Sequence, residues 1–437
     1  MNILSTLKNA WQTADLKKKI IYTFFIIILF RIGTSIPVPF LDASVVSAFF
    51  NGGGGATTSE NLLSYFNMLS GNALAQGTVF ALTIQPYINA SIIMQLLTIA
   101  IPKLERLQRD GGEVGQRKIK NWTRYVTVII AAIQAYGYYT ILSYQSGAVM
   151  YTYSDGAKGW LAMFSIVLTL MAGSMLVMWL GECIDEKGIG NGISMILFAS
   201  IVSRGPELIT YGIALVRANM WWLIPIVLVV GLAMVVFIVF MDGAERRIPI
   251  QYAKRQVGRK MYGGQNTFLP IKVAMTGVMP IIFTFAIVGV PATIAQFVPN
   301  SGFARWVENY FSSTSPLYMI LTFVLIIGFN YFYIMIQYNP IEIANNIKNN
   351  GGTIPGIRPG KPTSDFITKC VNRVTIAGAV FLGIIALVPF IIQAIIPEAA
   401  GLAMGGTSIM IMVSVALETV RGLESQMLMR HYKGFLD

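Results

Sequence analysis

Charged residues are scarce in this sequence and make up only 12% of its 437 residues. Because an ordinary soluble domain carries about a quarter charged residues, a soluble enzyme is nearly excluded. Histidine and cysteine are scarcer still. The single histidine, His431, cannot form a set of metal ligands alone, and the two cysteines, Cys183 and Cys370, lie far apart without a CxxC spacing. Neither a metal site nor a disulfide framework is therefore indicated.

Residue patterns that support catalysis are also missing. The sequence shows no Ser/His/Asp set and no paired carboxylates, so nothing points to an enzyme or to a bound cofactor. The glycine-rich string at 188–194 (GIGNGIS) is not followed by Gly-Lys-Ser/Thr. We therefore predict a tight loop with close helix packing at this string, and disfavour a phosphate site.

Ionisable residues are almost absent from the long apolar stretches, and Arg31 is the clear exception. Coupled transporters usually keep such residues at membrane depth to bind the ion or relay its proton, so an ion-driven carrier is disfavoured. Arg31 lies towards one end of its stretch, which favours a structural role at a helix end.

Hydrophobic residues make up 55% of the chain and are concentrated in ten long stretches. A helix pairs its backbone groups within one segment, so helices are the expected spanning element, whereas the strands of a β-barrel would be short and alternating. We predict an all-α polytopic membrane protein with ten transmembrane helices. The stretches are 20–41, 61–102, 125–154, 159–181, 188–203, 218–241, 273–304, 310–337, 374–397 and 399–417.

The second stretch is too long for one crossing, and Gly71, Asn72 and Gly77 break it. Its first part, 62–75, is too short to span, so we expect a half-inserted or re-entrant helix. A helix lying on the surface of the bundle is an equal alternative to a mobile gate. The second part, 78–100, is long enough to cross, with a kink expected at Pro86.

The distribution of basic residues predicts how the chain is oriented in the membrane. Of the 32 Lys and Arg residues, 27 fall in the segments 1–20, 101–124, 182–188, 242–273, 338–373 and 421–437, and four fall in the opposite loops. The positive-inside rule then predicts that both termini are cytoplasmic. This bias is compatible with a cell inner (plasma) membrane, which we expect here, although a thylakoid membrane protein would show the same bias. Ten spans divide into a cytoplasmic N-terminus 1–19, two halves of five, 20–210 and 211–423, and a tail 424–437, and two such halves permit an inverted repeat.

The two largest connections, 242–273 and 338–373, are larger than topology requires. In the first, Ile248, Ile250 and Tyr252 alternate among basic residues, which predicts a short basic hairpin. The second is rich in Gly and Pro and presents Arg358 at a turn. Such surfaces suit RNA phosphate, anionic lipid or an acidic protein patch, and the alternative is that the charges only fix topology.

Ordered strings from about residue 20 to residue 430 resemble the SecY family of protein-conducting channels. They are FRIG at 30–33, IPVP at 36–39, FNM at 66–68, PYI at 86–88, ASII at 90–93, WLGE at 179–182, GIGNGIS at 188–194, RRIP at 246–249, YAKR at 252–255, GIRPG at 356–360 and GGTS at 405–408. The resemblance implies two inverted five-helix halves, a short plug helix and a seam that opens towards lipid.

The resemblance also implies roles for named residues inside the membrane. A pore ring would be formed by Ile84, Ile88, Ile193, Leu197, Ile282 and Ile411. The plug would include Leu62, Leu63, Tyr65, Phe66, Asn67, Met68, Leu69, Ser70 and Gly71. The lateral gate between the second and seventh spans would be lined by Asn89, Gln95, Thr276, Thr284 and Val290.

At the cytoplasmic surface the resemblance implies partner-binding residues. These would be Arg246, Arg247, Lys254, Arg255, Arg259, Lys260 and Arg358. The implied partners are the small membrane proteins SecE and SecG, the motor ATPase SecA, the ribosome, signal-bearing preproteins and membrane lipids. The implied function is a passive channel that passes unfolded preproteins across the membrane and releases apolar segments into it. The alternatives are a small-solute transporter, a lipid-modifying enzyme and a purely structural ribosome anchor.

Overall fold

The computed structural model describes residues 11–51, 67, 70–109, 111–143, 147–151, 156–252, 255–257, 260–262, 266–277, 279–297, 301–312, 315–396 and 405–433. Helices dominate these residues. In chain order they are α1 (Ala14–Gly33), α2 (Ala43–Asn51), α3 (Gln85–Ala100), α4 (Pro102–Arg109), α5 (Gly112–Ser143), α6 (Ala157–Lys187), α7 (Gly192–Val202), α8 (Gly205–Arg217), α9 (Leu223–Gly243), α10 (Met279–Phe297), α11 (Gly302–Tyr310), α12 (Pro316–Gln337), α13 (Pro340–Asn349), α14 (Lys361–Ile395) and α15 (Gly405–Lys433).

Each of the ten predicted apolar stretches overlaps one of these helices, namely α1, α3, α5, α6, α7, α9, α10, α12, α14 and α15. Five helices in the described part of the chain are long and apolar enough to cross a membrane, or six if α3 and α4, which meet at a bend of 107°, form one span. The protein is therefore a multi-pass membrane protein. Other helices fall short for visible reasons: α7 has only 11 residues, and α1 carries Lys17, Lys18 and Lys19.

The helix expected over 78–100 begins only at Gln85. Residues 70–84 form turns, and positive φ values at Gly71, Asn72, Gly77 and Thr83 show why a continuous helix does not form there. Pro86 lies in the first turn of α3 and does not kink the helix interior, because proline fits the first turn, where no helical partner for its nitrogen is needed. The prediction of a long kinked helix was wrong in this respect.

Five strands correct the all-α prediction. The strands are β1 (Glu245–Tyr252), β2 (Arg255–Val257), β3 (Lys260–Tyr262), β4 (Asn266–Lys272) and β5 (Gly352–Thr353). β1 lies between β4 and β5 and is antiparallel to both, with Ile248 opposite Leu269 and Gln251 opposite Thr353. β2 and β3 form a separate small hairpin. The basic hairpin predicted from alternation is thus present, and β5 joins it to the second large connection.

One apolar cluster occupies the centre of the bundle and draws side chains from both halves of the chain. It includes Phe30 of α1, Ile88 of α3, Ile196 of α7, Ile282 of α10 and Ile411 of α15. A second cluster packs residues 38–50 and 74–82 against α5 and α6. A third packs β1, β4, α13 and the start of α14 together. The sheet is therefore a packed unit with its own core, built from both large connections.

Candidate functional site

The six residues expected to form a ring meet in the central cluster. Ile84 and Ile88 lie at the start of α3, Ile193 and Leu197 in α7, Ile282 in α10 and Ile411 in α15. Five of these side chains are at most 8% exposed, and Ile193 packs against the same cluster while partly exposed. Two pairs are separated by four residues, so each pair shares a helix face. The structure therefore brings these six apolar side chains together in one cluster.

The glycine-rich string at 188–194 fixes the start of α7 against α6, and α7 contributes side chains to the central cluster. The Gly192 amide donates to Asp185 Oδ1 at 2.7 Å, and the Ser194 amide donates to Asn191 Oδ1 at 3.2 Å, which caps α7. A Cβ added at Gly192 would lie 1.9 Å from the carbonyl oxygen of Gly181. Only glycine allows α6 and α7 to approach so closely, which confirms the tight loop and close packing predicted for this string.

Most of the expected plug lies outside the described residues, namely Leu62, Leu63, Tyr65, Phe66, Met68 and Leu69. Asn67, Ser70 and Gly71 are described. The Asn67 side chain donates to Asn72 Oδ1 and accepts from the Ala75 amide, both at 2.9 Å. The Ser70 hydroxyl donates to the Asn67 carbonyl oxygen at 2.8 Å. These bonds tie the end of the segment into a compact turn.

Gly71 brings that turn against the end of α7. Its φ is +64°, and a Cβ there would lie 2.8 Å from both the Ser200 carbonyl oxygen and Ser203 Oγ. Arg31 donates to the same Ser203 hydroxyl at 2.9 Å. Arg31 therefore joins the ends of α1 and α7, in agreement with the structural role predicted for it.

A cavity of about 280 Å³ separates α3, α5 and α10. Asn89 and Val290, two of the expected gate residues, line it, and most of the remaining lining is aliphatic. Gln95, also on α3, does not line the cavity. Its side-chain amide donates to Ser91 Oγ, one helical turn earlier, at 3.4 Å. The side-chain oxygens of Asn89 and Gln95 are buried and have no hydrogen-bond partner among the described residues.

Two expected gate residues lie elsewhere. The Thr276 hydroxyl donates to Asn330 Oδ1 of α12 at 2.6 Å, and the Thr284 hydroxyl donates within α10 to the Pro280 carbonyl oxygen at 2.8 Å. Neither lines the cavity. Six residues of helix separate Thr284 from Val290, which turns their side chains roughly 120° apart, so the two cannot share the face that looks towards α3.

The expected partner-binding residues lie in or beside the sheet. Arg246 and Arg247 are exposed on β1, Arg255 lies in β2, Lys260 lies in β3, and Lys254 and Arg259 lie outside the described residues. Arg247 pairs with Glu245 at 2.6 Å, and its guanidinium lies 4.8 Å from the centre of the Phe268 ring. These contacts hold Arg247 flat against the sheet.

Arg358 is exposed on a turn between Gly356 and Gly360, whose φ values are +79° and +107°. The Arg358 carbonyl oxygen accepts from the Thr363 hydroxyl at 2.9 Å, which fixes the turn at the start of α14. Because β5 pairs with β1, this arginine and the β1–β4 hairpin belong to one surface.

The root of the hairpin is fastened to α15. Arg421 Nη1 lies 2.8 Å from Asp242 Oδ2, and Arg421 Nη2 donates to the Asp242 carbonyl oxygen at 2.8 Å. A guanidinium at the end of α9 both pairs the carboxylate and satisfies a helix-end carbonyl. The basic sheet is thereby connected to the helix that carries Ile411.

Comparison with known proteins decides the family. The family model for SecY matches residues 78–420. Protein translocase subunit SecY from Streptomyces galbus is 42% identical over 445 residues, which cover 99% of this chain and 100% of the relative. The protein of the same name from Corynebacterium glutamicum is 40% identical, with 99% of this chain and 100% of the relative covered. This chain belongs to the SecY family.

Solved structures share the fold of this SecY-family chain. A protein-conducting channel matches with a TM-score of 0.64 at 20% identity, covering 94% of this chain and 92% of that one. Sec61 in the canine ribosome–channel complex matches with a TM-score of 0.59 at 18% identity, with the same coverage. The arrangement of helices described above is thus the SecY-family fold.

Several residues at these sites escaped the sequence analysis of this SecY-family chain. Gln134 of α5 lines the cavity opposite Asn89, and its side-chain oxygen is also buried without a partner among the described residues. Glu182 of α6 accepts from Arg124 of α5 at 3.0 and 2.7 Å. Asn330 lies buried within α12. The available signal was the same for Gln134 and Asn330, a lone polar residue inside an apolar stretch.

Proposed function

We propose that this chain is the channel-forming subunit of a protein translocase, through which unfolded preproteins cross the membrane. The observation that carries the proposal is the gathering of six apolar residues from α3, α7, α10 and α15 in one buried cluster. An apolar constriction excludes ions by dewetting and yields around a passing chain. The full-length likeness to translocase subunits supports the same function. The channel is passive, so a partner supplies the energy.

The proposed architecture is ten transmembrane helices in two inverted halves, 20–210 and 211–423, with residues 62–75 as a plug. Its support is that each apolar stretch overlaps a helix and that Gly71, at the end of the plug, packs against Ser200 and Ser203 at the end of α7. The sheet, both termini and most basic residues face the cytoplasm of an inner membrane. The excess of Lys and Arg in those segments supports this orientation.

The cavity between α3, α5 and α10 is the proposed seam through which apolar segments pass into lipid. Asn89 and Val290 line it, Gln134 adds a third wall, and Gln95 lies beside the lining residue Leu96 on α3. A signal peptide carries an apolar core of about 7–15 residues. Aliphatic side chains along the cavity suit such a core, and unpaired amide oxygens leave the closed seam without strong polar bonds across it.

The basic sheet is the proposed docking surface for SecA and the ribosome. Arg246 and Arg247 lie on β1, Arg255 and Lys260 lie on the separate β2–β3 hairpin, and Arg358 is exposed on the turn that follows β5. Lys254 and Arg259, which lie outside the described residues, are proposed to belong to the same docking surface. Arginine in such a position suits acidic protein or RNA phosphate. SecE and SecG are the proposed small partners within the membrane, and lipids surround the exposed apolar faces.

Protease protection of a signal-bearing precursor tests the function. Proteoliposomes would contain this chain with SecE and SecG, and SecA with ATP would be added outside. Protection that requires the chain, the motor and the signal supports the proposal. No protection, with the same partners active on another channel, would contradict it and favour a small-solute transporter.

A further inference from the structure

A buried polar contact joins three elements within the second half of the chain. Asn330, in α12, is 2% exposed. Its Oδ1 accepts from the Thr276 hydroxyl at 2.6 Å, and its Nδ2 donates to the Thr375 carbonyl oxygen of α14 at 3.1 Å. Thr276 lies in the turn 273–277 that precedes α10. One side chain therefore fastens the base of α10 to α12 and α14.

The backbone of the same turn is held from two further directions. A Cβ added at Gly378 of α14 would lie 2.3 Å from the Val273 carbonyl oxygen, so the turn packs directly on that helix. The Val273 amide donates to the Ala244 carbonyl oxygen at 2.9 Å, at the start of the β1–β4 hairpin. Gly277 has a φ of +59°, which ends the turn before α10 begins. The base of α10 has little freedom to move relative to its own half.

The seam side of α10 is different. Ala286, Ile287, Val290 and Ile294 face the cavity, and Val290 lies roughly 16 Å along the helix from Met279 at 1.5 Å per residue. Across the cavity, the oxygens of Asn89 and Gln134 are unpaired among the described residues. Strong polar bonds thus fix one end of α10, while aliphatic contacts and a cavity surround the other.

We propose that Asn330 is a positioning residue that fixes the base of α10, so that the seam opens when α10 tilts about residues 273–277. A tilt of about 20° moves Val290, about 16 Å along the helix, by about 6 Å, but moves the first turn of α10 by less than about 2 Å. This inference rests on the seam in the proposed function. It adds the position about which α10 tilts and the residue that holds this position in place.

Two spin-label distances in the complex, reconstituted in nanodiscs, test the pivot. Cys183 and Cys370 would first be replaced by alanine. One pair, Ile133→Cys and Ile294→Cys, spans the cavity between α5 and α10. The other, Lys272→Cys and Lys369→Cys, reports on the base of α10 against α14. The probe is a synthetic signal peptide with a core of about ten leucines.

In the otherwise unchanged protein, the peptide is expected to lengthen the cavity distance, measured at Ile294, by about 8 Å and to leave the base distance within about 2 Å. Equal lengthening of both distances would overturn the pivot while leaving the seam in place. No change in either distance, with the peptide shown to be bound, would overturn the pivot and the proposed seam together. These distances decide the question even if every substitution of Asn330 fails to fold.

Substitutions then test the role of Asn330. Asn330→Leu removes both bonds, and we expect a broader base distance without peptide, with Thr276→Val showing a smaller effect of the same kind. Thr276→Ser keeps the hydroxyl and should restore the narrow distribution. A merely structural role predicts loss of folded protein with no change in the base distance of what remains, and that result would overturn the assignment.

Discussion

Side-chain hydrogen bonds join the helices inside each half of the molecule, whereas buried amide oxygens at the seam between the halves lack a partner among the described residues. In the first half, Arg124 and Glu182 join α5 to α6 through two hydrogen bonds. In the second, Asn330 joins α12 to α14 and to Thr276. At the seam, the amide oxygens of Asn89 and Gln134 have no partner among the described residues. Rigid halves with a weakly bonded contact between them are what a laterally opening channel requires.

The largest effect on stability is expected where a pair inside a half is broken. Glu182→Ala leaves Arg124 without its carboxylate and Lys120 without its neighbour at 3.5 Å. Removing one partner of a fully buried pair costs about 3–5 kcal/mol. Because both cations are more than a third exposed, we expect a loss of about 2 kcal/mol here. Thermal unfolding of the reconstituted complex measures it.

Glu113→Gln is the matched control for that measurement. Glu113 and Arg117 form a pair at 3.8 Å whose side chains are 89% and 81% exposed, so its removal should leave the unfolding temperature unchanged. If both variants lowered the unfolding temperature equally, the ion pair between α5 and α6 would stabilise the protein no more than an exposed ion pair does.

A smaller effect of opposite sign is expected at the seam. Gln134→Leu removes a buried oxygen without a partner, which should stabilise the closed seam by about 1 kcal/mol. Export of precursors with weak signals should then fall several-fold, while strong signals still work. Ile133→Leu, in the same cavity lining, should change neither. Unaltered export of weak precursors by Gln134→Leu would argue that this amide does not affect opening.

The smallest effect on stability is expected on the basic sheet. Arg358→Glu reverses an exposed charge on a glycine-bounded turn, so folding should be unaffected. Motor-driven export should nevertheless fall, because the partner would meet the wrong charge. ATP-dependent export in proteoliposomes measures the change, and normal export would reject Arg358 as a docking residue.

The sequence predicted the parts of this fold that depend on periodicity and composition. Apolar stretches located the helices, and alternation of Ile248, Ile250 and Tyr252 located the hairpin. The break at Gly71, Asn72 and Gly77 was predicted, but the turns over 78–84 were missed because Thr83 adopts a positive φ value that its residue type does not indicate. Pro86 was read as a kink because its position within a helix depends on where the helix starts, which the apolar pattern does not specify.

In the candidate site, too, some residues were predicted from the sequence and others were not. Family strings located the ring residues, which the structure brings to one cluster. Thr276 was assigned to the seam, but its hydroxyl bonds Asn330, a pairing between residues 54 positions apart that no local pattern encodes. Gln134 was missed because a cavity wall formed by a third helix depends on how α3, α5 and α10 pack together.

Ion conductance across planar bilayers tests the central claim, that the apolar ring is the seal of a protein-conducting channel. Ile411 is 1% exposed, and Ile411→Asn places a polar amide in the apolar ring. The account predicts that this variant conducts ions at least several-fold more than the unchanged complex. Ile384→Asn, at a position 49% exposed on α14, should stay ion-tight. If Ile411→Asn were as tight as Ile384→Asn, the ring would not be the seal.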